Sequence, residues 1–157
     1  MNQVEIRVIG KLPESWMKEA VDMYVDRIKQ FLKIAIIELP EGQQKSASPD
    51  VGKTLKAEAA NILKGLASGS ELVVLDEGGK QLDSPGLAEF LAKRLDMGKS
   101  LVFVIGGSWG LGPELKEKAD TVLSLGKMTL PHGLARIVLL EQLYRGLMIS
   151  HKRTYHK

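Results

Sequence analysis

Groups able to do chemistry are concentrated in the second half of the chain. All three histidines lie from position 132 onward, with Lys152, Arg153 and Lys157 among them. Upstream, three glycine-bearing segments follow apolar runs: Leu75-Asp76-Glu77-Gly78-Gly79, Gly106-Gly107-Ser108-Trp109-Gly110 and Leu125-Gly126-Lys127-Met128-Thr129-Leu130. Glycine lets a backbone approach a ligand closely, and exposed N–H and C=O groups can read an adenine edge without special side chains. Taken singly, each segment is equally well a tight strand-to-helix turn. Three of them at the carboxyl ends of apolar strands, where open parallel sheets bind ligands, favour a cofactor site.

Other chemistries lack their residues. There is no G-x-x-x-x-G-K-[ST] phosphate loop, and "GGSWGLG" is not the dinucleotide fingerprint after a first strand. His132, His151 and His156 lack the helical pairing of a zinc protease, and no G-x-S-x-G elbow occurs, so neither metal nor serine hydrolysis is expected. The absence of cysteine removes disulfides and thiolate metal sites and fits a reducing cytoplasm. No apolar run approaches the ~18 residues of a membrane span, and no signal-peptide pattern precedes the first strand. A net charge of +3 and a pI near 9.1 are compatible with a nucleic-acid partner without demanding one.

The elements that must position these groups can be read from periodicity. The 157 residues, 44% of them apolar, suit one domain spanning 1–157. Strands are predicted at 4–9, where Val4, Ile6 and Val8 alternate with Glu5 and Arg7, and at 34–39, 71–76, 100–105 and 121–125. A helix opening at Pro13 places Trp16, Ala20, Tyr24, Ile28 and Phe31 on one face. A second puts Val51, Leu55, Ala59, Ile62 and Leu66 together, and a third is capped by Ser84 and stopped by Gly98. "EGGK" after Asp76 reads as a turn, and 40–50 as a polar loop. The last helix is apolar on nearly every side, interrupted mainly by Arg136, Glu141, Gln142 and Arg145, which predicts burial against its own sheet and a second subunit. Alternating strands and helices make an α/β architecture with a mostly parallel sheet flanked by helices.

At "IGGSWGL", "KMTLPHGLARIVLLEQLYRG" and the closing "YHK" the chain resembles a known family. These are the small SPOUT-class (α/β-knot) methyltransferases of the RlmH type, which modify N3 of a pseudouridine in large-subunit (23S-type) ribosomal RNA. The resemblance runs from the first strand to the final lysine. It implies a C-terminal deep trefoil knot, S-adenosylmethionine bound in that knot, a cytoplasmic homodimer building each active site jointly, and action on assembled ribosomes. The cofactor positions it implies are Leu75, Gly106 and the run Leu125, Gly126, Lys127, Met128, Thr129 and Leu130, with Gly126 and Lys127 contributing backbone only. Ser108-Trp109 stands where some relatives carry Pro-Glu, so no acidic role is assigned there.

The catalytic candidates the resemblance implies are His132, Arg145, Tyr155 and His156; the basic tail itself offers Lys152 and Arg153 as RNA-phosphate contacts. The imide N3–H of pseudouridine must lose its proton before methylation, which a nearby base such as His132 would assist. Each candidate also has a plain structural reading: a helix-opening histidine, an Arg145–Glu141 ion pair at helical spacing, a frayed and solvated tail. A non-catalytic ribosome-binding protein of the same fold is the alternative to the enzyme.

Overall fold

Runs of branched apolar residues build a five-stranded sheet in the computed structural model, which describes residues 2–42, 50–152 and 155. The elements follow in the order β1 (Gln3–Ile9), α1 (Ser15–Ile28), β2 (Lys33–Leu39), α2 (Val51–Leu63), β3 (Glu71–Gln81), α3 (Ser84–Asp96), β4 (Leu101–Ile105), α4 (Pro113–Lys118), β5 (Thr121–Ser124) and α5 (His132–Ser150). The strands lie in the order β2-β1-β4-β3-β5, every pair parallel. Successive side chains on a strand point to opposite faces, and β4 shows the result. Leu101, Phe103 and Ile105 enter one core with α1, α3 and α5, while Val102 and Val104 enter a second with α2 and α4. No described helix is long and apolar enough to cross a membrane.

Several expectations are corrected. The helix predicted from Pro13 begins at Ser15; Ile28 is buried and Tyr24 and Phe31 pack against the core as expected, but Met17 and Val21, not Trp16 and Ala20, complete the buried face. Trp16 is left 52% exposed. On α2 the buried face is Thr54, Glu58, Ala59 and Ile62, with Val51 exposed. The strand containing Glu5 and Arg7 is interior, not half-solvated. Arg7 is buried there and donates to the carbonyls of Ile62 and Lys64 at 2.6 and 2.7 Å, satisfying acceptors that the end of α2 leaves open.

The supposed turn at 77–80 is strand. β3 continues to Gln81, with a register shift between Leu75 and Lys80, and pairs again with β5 through Lys80–Leu123 and Gln81–Ser124. Gly79 permits this: a Cβ there would lie 2.7 Å from the Val122 carbonyl oxygen. The helix cap also differs. Asp83 accepts from the Gly86 N–H at 2.7 Å, so Ser84 is the first helical residue and not the cap.

Helix α5 packs between α1 and α3 over the sheet, which accounts within one chain for much of its all-round apolar character. Leu139, Leu140, Leu143, Leu147 and Met148 are buried; Leu134, Ile137, Val138 and Ile149 are half-buried. Arg136, read as a polar interruption, is 1% exposed.

Candidate cofactor and substrate site

The carboxyl ends of β3, β4 and β5 open together into a cavity of about 780 Å³, within the ~300–1,000 Å³ typical of small-molecule sites. Its lining includes Leu75, Asp76, Glu77, Gly106 to Leu111, Lys116, Leu125, Gly126 and Met128 to His132. Seven of the eight positions expected to hold cofactor, Leu75, Gly106, Leu125, Gly126, Met128, Thr129 and Leu130, therefore face one space. Lys127 is exposed and does not line it.

Each wall is fixed locally. Gly106 sits so close to Gly110 that a Cβ would lie 2.5 Å from the Gly110 oxygen. The Gly110 N–H closes the turn onto the Gly107 carbonyl at 3.0 Å. In the third segment the Ser124 hydroxyl lies 3.1 and 2.9 Å from the carbonyls of Glu77 and Gly126 and accepts the Gly126 N–H at 3.0 Å. Thr129 donates to Glu77 at 2.8 Å, tying that segment to β3. Asp76 accepts from the Gly78 N–H and pairs with Lys116 at 3.1 Å. Apolar walls from Leu75, Ile105, Leu130 and Ala135, close backbone and the Asp76 and Glu77 carboxylates suit a ligand that is part flat heterocycle and part cation. Trp109, 47% exposed, lines the cavity.

His132 lines the cavity from the first turn of α5, its Nδ1 buried and without a hydrogen-bond partner among the described residues. One turn on, Arg136 pairs with Glu38 at 2.8 Å and donates to the Gly10 carbonyl at 3.3 Å, anchoring α5 to the ends of β1 and β2.

Sequence reasoning missed Glu58, because a charged residue on a helix reads as solvated. It is buried on α2, and its Oε1 lies 3.3 Å from where a Gly107 Cβ would stand. Burial pushes its carboxyl above the ordinary 4.5; the Gly42 N–H bond opposes the shift and the Glu41 charge adds to it. A raised folded-state pKa favours the fold fully below the ordinary value and costs stability as pH rises through the folded value. Glu58→Gln is therefore expected to leave the melting temperature unchanged below pH 4.5 and to raise it at neutral pH. Melting curves across that interval check this, and a glutamine variant less stable at neutral pH would contradict it.

The remaining candidates gather at the other end of α5. Arg145 pairs with Glu141 at 2.6 Å, so the expected helical ion pair is formed. The Tyr155 hydroxyl donates to the same carboxylate at 3.2 Å. Tyr155 stands edge-on to Tyr144 at 4.9 Å, and the Arg145 guanidinium lies 4.8 Å from the Tyr155 ring centre. Burial first, then the Glu141 charge, raise the Tyr155 phenol above its ordinary value, which favours its neutral, hydrogen-bond-donating form. The Glu141 hydrogen bond likewise raises Arg145. At 1.5 Å per residue, Arg145 is roughly 20 Å along the helix from His132, so one chain does not bring them together. Lys152 is exposed; Arg153 and His156 lie outside the described residues.

An open parallel sheet with a glycine-walled cavity at its strand ends is the arrangement in which α/β proteins bind ligands. Residues 2–156 match the family model described as "Predicted SPOUT methyltransferase", and the chain belongs to the SPOUT methyltransferases. Among curated relatives, "Ribosomal RNA large subunit methyltransferase H" of Trichlorobacter lovleyi is 41% identical over 156 residues, covering 98% of this chain and 99% of its own. The protein of that name from Caldicellulosiruptor saccharolyticus is 39% identical over 154 residues, covering 98% and 99%. Among solved structures, a probable methylase family protein from Haemophilus influenzae Rd KW20 superposes with a TM-score of 0.54 at 15% identity, covering 98% of this chain and 70% of that one, a likeness of fold.

Proposed function

We propose that the protein methylates N3 of a pseudouridine in large-subunit ribosomal RNA, using S-adenosylmethionine, on assembled ribosomes and as a homodimer. The carrying observation is the cavity: the three segments assigned to cofactor by resemblance converge on it in a chain of this family. When bound, S-adenosylmethionine supplies an electrophilic methyl group for in-line displacement, a reaction that depends on alignment more than on a protein nucleophile. The chain's residues then hold and align. The backbones of 106–110 and 125–130 would hold the cofactor, and the Asp76 and Glu77 carboxylates would favour its positive charge. His132, at the cavity wall, takes the imide proton or steadies the anion left behind. The segment between β5 and α5 is read as the threaded part of a trefoil knot.

The distance between His132 and Arg145 supports the dimer. Arg145 and Tyr155, with His156, serve the cavity of a second copy, across a contact made by the half-buried apolar residues of α5. Lys152 and Arg153 contact RNA phosphates, which position the substrate without reading its sequence. The test is transfer of a labelled methyl group to ribosomes lacking the modification, with mass mapping of the product. Light scattering is expected to give twice the 17.2 kDa of one chain. Ribosome binding with neither methyl transfer nor cofactor binding would return the non-catalytic alternative.

A further inference from the structure

Because Asp83 caps α3, the Ser84 hydroxyl is released from that duty and reaches across to α5, donating to Gln142 Oε1 at 2.6 Å. A carboxamide has one acceptor and one donor end, so this bond fixes which way the amide faces. With Oε1 engaged by Ser84, Nε2 turns to Glu141 and donates to its Oε2 at 2.7 Å. The other carboxylate oxygen, Oε1, is the one that holds both Arg145 Nη2 at 2.6 Å and the Tyr155 hydroxyl at 3.2 Å. A hydrogen-bonded chain therefore runs from the first turn of α3 to the C-terminal tail. Ser84 and Gln142 also line a smaller cavity of about 370 Å³ that shares Leu125 and Gly126 with the larger one. The chain thus stands beside a cofactor segment at one end and the tail at the other.

We propose that Ser84 and Gln142 are positioning residues that orient Glu141, and through it Arg145 and Tyr155, for substrate. Without the Ser84 donor the Gln142 side chain loses its anchor at Oε1 and can leave its rotamer, taking the Nε2 donor away from Glu141 and freeing the carboxylate to swing. The inference rests on the methyltransferase reading for its kinetic readout alone.

The test compares Ser84→Ala, Gln142→Ala, the double variant and the conservative Ser84→Thr in the full chain. Methyl transfer is expected to fall about tenfold in each alanine variant, the scale of one hydrogen bond to a charged acceptor. Affinity for S-adenosylmethionine stays unchanged and threonine restores the rate. The double variant is no worse than either single one, because both act on one carboxylate. In parallel, the Arg145 Nε–H resonance of ¹⁵N-arginine-labelled protein is expected to shift in both alanine variants and not in Ser84→Thr. An unmoved Arg145 resonance in both alanine variants overturns the proposal, as do additive losses accompanied by weakened cofactor binding. A wild-type chain that transfers no methyl group would sink the methyltransferase reading, and the Arg145 resonance would then decide the positioning role by itself.

Discussion

Gly106→Ala is expected to weaken cofactor binding on the order of a hundredfold in a chain that still folds. The added methyl would stand 2.5 Å from the Gly110 carbonyl oxygen and 2.8 Å from its carbon, both backbone atoms that no rotamer change can move aside. The 106–110 segment must shift as a whole, and with it one wall of the cavity. A displacement of about an ångström where aligned groups must meet costs on the order of a hundredfold. Isothermal titration with S-adenosylmethionine reads the loss, and circular dichroism verifies the fold, because β4 ends at Ile105 before the affected turn. Affinity within threefold of wild type would show that this wall does not touch the ligand.

Removal of residues 155–157 is expected to bring methyl transfer below detection while S-adenosylmethionine binds as before. The cofactor cavity is built by the strand ends and the start of α5, and Tyr155 is anchored at the far end of that helix. Tyr155→Phe isolates the hydroxyl. Phenylalanine keeps the ring beside Tyr144 and under Arg145, and loses only the bond to Glu141. That bond has a charged acceptor, so a tenfold to hundredfold drop in rate is expected, corresponding to roughly 1.5–3 kcal/mol. Single-turnover transfer to unmodified ribosomes measures both variants. Normal turnover by the truncated chain would remove the tail from the mechanism.

The parts of the fold that could be read in advance are those where one local pattern decides the outcome. Buried parallel strands such as Leu101–Ile105 announce themselves as short apolar runs, and ligands in such sheets sit past the strand ends. The loops leaving Leu75, Gly106 and Leu125 could therefore be expected at one cavity, while the choice of cofactor positions within them comes from the resemblance. The misreadings have a common cause in distant partners. Glu77-Gly78-Gly79-Lys80 has the composition of a turn, and only β5, more than forty residues later, makes it a strand. Arg7, Glu58 and Arg136 look like surface charges until Ile62, Gly42 and Gly10 supply their hydrogen bonds. Trp16 looks like core by size, yet the face of α1 that meets the sheet is set by Met17 and Val21. The catalytic candidates divide for a different reason: helical rise alone sets His132 and Arg145 roughly 20 Å apart on one helix.

That division makes α5 a spacer of fixed length and fixed phase. His132 at its start faces the cofactor cavity, and Arg145 one turn before its end faces the tail. A single residue inserted between them would lengthen the separation by only about 1.5 Å, yet turn one end against the other by roughly 100°. On the dimer reading, an insertion variant that folds and binds S-adenosylmethionine should still be unable to bring the tail of one copy and the cavity of the other to one nucleotide. If both ends serve methyl transfer as proposed, the number of residues between them constrains the enzyme as much as the identity of any of them.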